Sequence, residues 1–309
     1  MNHEDVRKLC EAQGIIALEE GVAPYVPGED PGYVFRKELV GEMIVFWLSG
    51  EKAMKLTGPA GCGKTSLVEQ FHAALRYPLL MPNTNSRTEA DDLIGKVTAG
   101  TAGWGYVPGP LHVAGENGIS VFTDEYNVMS AGAITSLNRA AEGNSIDIPE
   151  TGERIVFNPG FRLFAAANPN DKALGFFGRN PEDASNRERF WTVEFGYPAP
   201  EEEKPLIARE LIDAFGDETA DRFADSMLEV AGRVRRQYMG ETDAGDALEV
   251  TMSTRTLVRW AKAVSVFATV IGQGSDKNPF RMGLERALTN AAPRESREAI
   301  HEILADVMK

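Results

Sequence analysis

The chain has 309 residues, enough for a sizeable core and for two domains. Its formal net charge of -14 argues against a general nucleic-acid binder, because neutralising phosphate groups requires a basic surface. The two cysteines, Cys10 and Cys62, the lack of a signal-peptide pattern and the shortness of the apolar runs predict a cytoplasmic protein in a reducing compartment, with no membrane segment.

The amino-terminal part predicts a short polar helix over 3–13, followed by an irregular strap containing three prolines over 24–31. Tyr33, Val34 and Phe35 then form an apolar cluster just before the next predicted helix. The cluster could line an adenine pocket, with Tyr33 and Val34 as contacts, or it could pack into the core. The pattern alone leaves both possibilities open.

The most specific motif is a phosphate loop between a predicted strand over 53–57 and a helix that begins at Lys64. Its glycines let successive backbone N–H groups point at a phosphate, to which the helix adds its positive dipole end. Lys64 can reach the β and γ oxygens, and the Thr65 hydroxyl can hold Mg²⁺. We therefore predict a nucleotide site that is formed by Gly58, Pro59, Ala60, Gly61, Cys62, Gly63, Lys64, Thr65 and Ser66.

After the phosphate-loop helix, residues 78–82 predict a second strand. Ser86 and Glu89 have the spacing of a capping box, which predicts a helix from Ser86 to about residue 94. The stretch 95–110 contains five glycines with aromatic residues between them. It predicts either a hairpin with exposed aromatics or a loop folded back on its own core.

A buried-strand pattern over 119–125 ends in two adjacent carboxylates, Asp124 and Glu125. Alternation along the strand predicts that the two side chains point in opposite directions and have different roles. Asp124 would hold Mg²⁺, and Glu125 would orient and deprotonate the water that attacks the γ-phosphate. Carboxylates after strands are common on surfaces, so the prediction depends on the phosphate loop earlier in the chain.

Ser130 predicts a helix cap, and 145–157 predicts a hairpin. Another buried strand is predicted over 161–167 and is followed by Asn168. Since ligands of open α/β sheets bind at the carboxyl ends of the strands, Asn168 could contact the γ-phosphate and the attacking water. Alternatively, it could simply close a turn before the next residue, a proline.

Arg187 and Arg189 precede the last predicted strand, over 191–195. Such arginines usually form surface ion pairs, but one of them could instead reach the nucleotide of a neighbouring subunit. Arg255 lies in the first turn of a later predicted helix, where the helix dipole disfavours a cation. A phosphate or a nearby Asp or Glu would explain it. The helices expected after the last strand are 201–215, 218–239, 254–272, 279–291 and 294–308.

The order of these motifs resembles the AAA+ ATPases of the MoxR group, especially the cobaltochelatase CobS subunit and its relatives, over about residues 30–270. The motifs that carry the resemblance are Gly58–Thr65, Asp92–Gly95, Pro108–Leu111, Phe122–Tyr126, Phe161–Asn168, Arg189–Phe190 and Ser253–Thr256. The resemblance implies a P-loop αβα domain with a five-stranded parallel sheet and a helical lid, assembled as a ring, usually a hexamer. The expected divisions are an amino-terminal helix and strap at 1–32, the αβα domain at 33–198 and the lid at 199–309.

The resemblance also implies site roles: sensor 1 for Asn168, sensor 2 for Arg255 and an arginine finger acting in trans for Arg189. Glu188 stands where relatives usually have Asp, and Arg187 is a rival finger. Ser253–Thr254 replaces the Ser-Pro pair that is usual before sensor 2.

The implied function is a motor that uses ATP and Mg²⁺ with a von Willebrand A domain partner to remodel a metalloenzyme client or to load its metal or cofactor. Motion of 95–110 and 145–157 would act on the client. Two other functions remain open: a restriction-type nucleic-acid motor, against which the acidity weighs, and a nucleotide-gated scaffold that does not hydrolyse ATP.

Overall fold

The computed structural model describes residues 1–15, 24–100, 103–168, 188–241, 247–271 and 277–308. The chain divides into two compact units. The first contains Met1–Gly58 and the described residues from Lys64 to Phe195, whereas the second contains Pro59–Gly63 and the described residues from Gly196 onward. The three-part domain division stays a prediction.

A five-stranded parallel sheet organises the first unit. Its strands, in spatial order, are β2 Leu79–Leu80, β5 Ser120–Thr123, β8 Arg162–Ala167, β1 Ala53–Thr57 and β9 Trp191–Glu194. The three strands in the middle of this order are almost entirely buried, as expected for a parallel sheet covered on both faces. The predicted P-loop αβα fold is therefore confirmed.

The helices of the first unit follow from local signals in the sequence. The Ser130 hydroxyl accepts the backbone N–H of Ala133 and caps α6, which confirms the predicted cap. Gly50, in a left-handed conformation with φ of 79°, ends α2. These helices are α1 His3–Ala12, α2 Lys37–Ser49, α3 Lys64–Leu75, α4 Ala90–Ile94, α5 Pro110–Asn117 and α6 Ala131–Ala141.

The prediction that a helix begins at Ser86 is wrong, because α4 begins only at Ala90. The Asn85 side chain accepts the Arg87 N–H, and the Thr88 hydroxyl accepts the Asn85 N–H, so a tight turn occupies these positions. Glu89 is the cap residue instead, and its backbone N–H donates to the carboxylate of Asp92 in the first turn.

Two antiparallel hairpins lie outside the sheet: β3 Gly95–Gly100 with β4 Gly103–Pro108, and β6 Ile146–Ile148 with β7 Glu153–Ile155. Both predicted hairpins are thus confirmed. In the first hairpin, Trp104 is 79% exposed. Tyr106 instead folds back, and its hydroxyl donates to the Ile94 carbonyl. Each of the two alternatives is therefore right for one aromatic residue.

The second unit is helical, with no strand among its described residues. Trp260 lies at the centre of its apolar core, fully buried, and its indole N–H donates to the Phe280 carbonyl. The helix predicted over 279–291 ends early, at Ala287, and a 3₁₀ turn over Thr289–Ala291 follows it. The helices are α7 Pro200–Phe215, α8 Asp217–Tyr238, α9 Thr254–Ile271, α10 Pro279–Ala287 and α11 Arg294–Val307.

Across the parts of the chain that the structure describes, no helix combines the length and the apolarity needed to cross a lipid bilayer.

A histidine is fully buried in the core of the first unit. The ring of His72 packs edge-on against Phe164 and lies beside Trp47, and its Nδ1–H donates to the Val68 carbonyl. Its other nitrogen has no hydrogen-bond partner among the described residues. Burial lowers the pKa of His72 from 6.5 to about 4, because the charged ring cannot be hydrated there.

The unfolded chain therefore binds more protons than the folded chain between about pH 4 and 6.5, so stability falls as pH falls through this window. We expect His72 to account for a loss of about 3 kcal/mol over that range. His72→Phe should lose correspondingly less free energy of unfolding than the wild type between pH 7 and pH 4, as measured by urea denaturation. Trp47→Phe, which disturbs the same core but keeps the imidazole, should retain the wild-type pH dependence. Equal slopes for all three proteins would contradict the assignment.

Candidate functional site

The phosphate loop follows the end of β1 and leads into α3, as its sequence predicts. A Cβ added at Gly58 would lie 2.1 Å from the Phe195 carbonyl oxygen, so only glycine fits at this position of the first unit. Gly61 and Gly63 have φ of 72° and 99°, values that side chains rarely adopt. The glycines therefore allow a backbone path that other residues would strain.

Lys64 joins the ends of two neighbouring strands. Its side-chain ammonium donates to the Gly58 carbonyl at 2.8 Å and to the Asn168 side-chain oxygen at 2.9 Å, although 104 residues separate Lys64 from Asn168. Lys64 is only 7% exposed. A buried ammonium at the end of a phosphate loop is suited to receive the anionic oxygens of a phosphate. The contact places the Asn168 side-chain amide beside Lys64. A residue that only closes a turn would not need this side-chain contact.

Thr65 and Asp124 form the second pair of the site. The Thr65 hydroxyl donates to an Asp124 carboxylate oxygen at 2.8 Å, and the other carboxylate oxygen accepts the Glu125 N–H at 2.9 Å. A hydroxyl and a carboxylate are the hard oxygen ligands that Mg²⁺ takes together with phosphate oxygens and water. Among the described residues, no group of three or more His, Cys, Asp or Glu side chains is arranged to hold a metal ion. A magnesium site of this kind needs none, so the residues fit Mg²⁺.

The strand-alternation argument for the two carboxylates is wrong. β5 ends at Thr123, and Asp124 and Glu125 lie in the turn that follows it. Glu125 has φ of 49°, a left-handed conformation that is uncommon for a residue with a side chain. The Thr84 hydroxyl donates to the Asp124 carbonyl, and the Glu125 carbonyl accepts the Val128 N–H. These contacts hold the turn, and such outliers cluster at functional sites.

Arg189 forms an ion pair at 2.5 Å with Glu142, the cap residue at the end of α6. The next residue, Phe190, is buried and packs edge-on against Tyr126, with ring centroids 5.3 Å apart. Within one chain, the structure thus shows the surface ion pair that the sequence left open. Arg187, the rival finger, lies outside the described residues.

Two contacts of the middle of the phosphate loop lie within the second unit. A Cβ added at Gly61 would meet the Ser253 side chain at 2.5 Å, so Ser253 lies directly against the loop. The Tyr197 hydroxyl is 3.4 Å from the Ala60 carbonyl, and burial raises the pKa of this tyrosine, which keeps the hydroxyl protonated as a donor. Sequence reasoning missed Tyr197, because a lone tyrosine after the last strand carries no motif.

Arg255 is exposed in the first turn of α9, two residues after Ser253. No ion pair joins it to any Asp or Glu of the described ranges, so the carboxylate alternative has no support there. The role of Arg255 as a contact to phosphate stays a prediction.

The three residues of the apolar cluster Tyr33–Phe35 differ in their exposure to solvent. Phe35 is buried and the Tyr33 ring packs edge-on against it at 4.8 Å, whereas Val34 is 52% exposed. Burial raises the pKa of Tyr33 above its usual value. Ser66 lies half-buried in the first turn of α3.

Two family models match successive parts of the chain: an AAA domain of the dynein-related subfamily over 53–190, and the CbbQ/NirQ/NorQ C-terminal family over 210–307. NorQ of Paracoccus denitrificans is 30% identical over 237 residues, which cover 76% of this chain and 78% of that protein. The chain belongs to the AAA+ ATPases of the MoxR group. As a member of this family, it binds nucleotide and hydrolyses ATP.

Other proteins similar to this MoxR-group ATPase support the same family assignment. The aerobic cobaltochelatase subunit CobS of a Sinorhizobium species is 25% identical over 254 residues, covering 80% of this chain and 75% of CobS. The denitrification regulatory protein NirQ of Stutzerimonas stutzeri is 29% identical over 239 residues, with coverage of 76% and 80%. A mutant of Thermotoga maritima RuvB, 19% identical, has the same fold, with a TM-score of 0.53 over 85% of this chain and 73% of that one.

The geometry around Lys64 leads to a direct prediction. Lys64→Ala should weaken ATP binding roughly a hundredfold or more, because charge-assisted contacts to phosphate are lost. Binding of a fluorescent ATP analogue measures the effect. Lys52→Ala provides the control, since that side chain donates to the Pro159 carbonyl and should leave affinity unchanged. Unaltered affinity in Lys64→Ala would contradict the phosphate site.

Proposed function

We propose that this MoxR-group ATPase is a Mg²⁺-dependent ring motor that remodels or activates a partner protein. The observation that carries the proposal is the Lys64 ammonium, held between the Gly58 carbonyl and the Asn168 amide. Together with the adjacent Thr65–Asp124 pair, it gathers a cation, an amide and two oxygen ligands at the carboxyl edge of the sheet. This set suits binding and hydrolysis of a triphosphate better than binding alone.

In the proposed reaction, the phosphate-loop N–H groups and Lys64 bind the β- and γ-phosphates. Bound Mg²⁺ would supply charge neutralisation, held by Thr65 and Asp124. Glu125 accepts a proton from the attacking water, while Asn168 orients that water and a γ-phosphate oxygen. The bond between the γ-phosphorus and the bridging oxygen breaks, and ADP and phosphate leave. The left-handed backbone conformation of Glu125 supports this role, because uncommon conformations of this kind are typical of residues in functional sites.

We further propose that Arg189 acts as an arginine finger on the nucleotide of a neighbouring copy in a ring, taken to be a hexamer. Its pair with Glu142 is partly exposed at both side chains, and such pairs contribute only about 0.2–1 kcal/mol. Giving up this particular ion pair for a phosphate therefore costs little. Buried Phe190 keeps the finger segment anchored while the arginine changes partner.

For the partner, we propose a von Willebrand A domain protein, and for the task, activation of a metalloenzyme client or loading of its metal or cofactor. The relatives' names support this direction, since one is a cobaltochelatase subunit and another a denitrification regulatory protein. The two hairpins outside the sheet are the proposed moving elements, and exposed Trp104 suits contact with a protein client. The cytoplasmic location stays a prediction.

Glu125→Gln tests the proposed function. The variant should bind ATP with unchanged affinity but lose turnover by about 10² to 10⁴-fold, because the amide cannot accept the proton. Phosphate release and ATP-analogue binding measure the two effects separately. Glu116→Gln is a matched control: the same change on an exposed carboxylate of α5, with turnover expected to persist.

Proteins that co-purify with ATP-bound Glu125→Gln then identify the partner class. A von Willebrand A domain protein among them would support the motor. DNA alone, with salt-sensitive stimulation of hydrolysis, would replace it with a nucleic-acid motor. Full biological function of Glu125→Gln would replace it with a nucleotide-gated scaffold.

The trans finger can be tested by mixing subunits. Arg189→Ala should lower turnover by about a thousandfold, the effect typical of a missing arginine finger. Mixed rings with Glu125→Gln should recover activity, because an intact Arg189 then completes the pocket of the Arg189→Ala subunit. Arg187→Ala is the parallel variant. Recovery with Arg187→Ala in place of Arg189→Ala would move the finger to Arg187, and failure of both would contradict the ring mechanism.

A further inference from the structure

A fully buried carboxylate lies in the second unit. Glu203, in the first turn of α7, is 0% exposed, and Arg235 of α8 donates to both of its oxygens at 2.7 and 2.9 Å. Two parallel bonds between a planar guanidinium and a carboxylate fix both distance and orientation. The sequence hid this pair, because Glu203 ends an acidic run that is typical of an exposed helix start.

The ion pair holds the chain on both sides of Ser253. The Thr254 hydroxyl donates to Glu203 at 2.6 Å, and the remaining guanidinium nitrogen of Arg235 donates to the Met252 carbonyl at 2.7 Å. These contacts fix the point where α9 begins. Arg255, in the first turn of that helix, is the residue that follows Thr254.

The same pair reaches the middle of the phosphate loop. The Arg235 guanidinium lies 4.2 Å from the centre of the Tyr197 ring, a cation–π contact, and the Tyr197 hydroxyl is 3.4 Å from the Ala60 carbonyl. Ser253 meanwhile lies against Gly61. One set of contacts thus supports both the start of α9 and residues Pro59–Gly63.

Stability alone does not explain a pair of this kind. Removing two charges from water costs about as much as their attraction returns, so apolar residues of similar volume often serve a core equally well. The two parallel bonds instead fix the relative orientation of the side chains, since they limit Arg235, Glu203 and Thr254 to one arrangement. A fixed orientation matters most where a neighbouring side chain has to contact a ligand.

We propose that Glu203 and Arg235 are positioning residues that hold Arg255 in register with phosphate-loop residues Pro59–Gly63. The inference rests on the proposed ATPase function and on the sensor 2 role that the family resemblance implies for Arg255, in which this arginine contacts the terminal phosphate of ATP. Loss of the pair lets the first turn of α9 shift, and Arg255 then discriminates less well between ATP and ADP.

The readout is the ratio of ADP to ATP dissociation constants, which a purely structural defect does not change. Arg255→Ala should lower this ratio. Thr254→Val removes only one hydroxyl, and Arg235→Lys keeps the charge but loses the pair of parallel bonds to Glu203. Each variant should lower the ratio by about five- to tenfold. In an Arg255→Ala background, Thr254→Val should have no further effect.

Two substitutions in the same helices are the controls. Thr269→Val removes a hydroxyl that bonds the Ser265 carbonyl within α9, and Arg233→Lys alters an exposed arginine of α8 that pairs with Glu229 and Asp306. Both should retain the wild-type ratio. Thermal unfolding of every variant accompanies the binding measurements, and mild Thr254→Val keeps the test open if Arg235→Lys does not fold.

The outcomes separate the inference from the proposed function. If Arg255→Ala lowers the ratio but Thr254→Val does not, the positioning role is overturned and the sensor role stands. A Thr254→Val effect that persists without Arg255 also overturns it, because the pair then acts elsewhere. If Arg255→Ala leaves the ratio unchanged, the sensor role fails and the inference fails with it.

Discussion

The Lys64 ammonium, shared between the Gly58 carbonyl and the Asn168 amide, is the contact on which the site depends. It connects the carboxyl ends of β1 and β8, which are neighbours in the sheet, and so places the phosphate loop beside the predicted sensor. A cation with 7% exposure needs oxygen partners, and parallel strands that end at one edge supply them. The sheet order therefore determines which distant residues share the chemistry.

The Asp124–Glu125 turn adds the second constraint. β5 lies next to β8, so its end brings Asp124 to the same edge, where the Thr65 hydroxyl meets it. The left-handed conformation of Glu125 costs about 1–3 kcal/mol, which the surrounding hydrogen bonds have to offset. Strain retained at the one residue proposed as the base is easier to explain by catalysis than by folding, because folding would favour an unstrained turn.

The residues of the phosphate loop belong to both compact units of the chain. Gly58 and Lys64 belong to the first unit, while Pro59–Gly63 pack within the second, against Ser253 and Tyr197. The buried Glu203–Arg235 pair then supports this middle segment together with the start of α9. Arg189 contrasts with that pair, because its partly exposed contact with Glu142 suits a residue that changes partner. Buried and exposed ion pairs thus have different proposed roles in one chain.

By itself, the sequence determined the features that depend on neighbouring residues: the strand–loop–helix around Lys64, the cap at Ser130 and the two hairpins. The five-stranded parallel sheet was expected from the family resemblance and not from local pattern. Glycine spacing, apolar runs and cap residues act over a few positions, so they can be read along the chain. Tertiary structure alone decided that Glu125 leaves the strand and that Glu203 is buried on Arg235. The turn that replaces the predicted cap at Ser86 comes instead from competing hydrogen bonds among Asn85, Arg87 and Thr88. Each of these depends on groups that are distant in sequence or on competing hydrogen bonds. Local pattern cannot weigh such contacts, because their free energy exists only once the chain has folded.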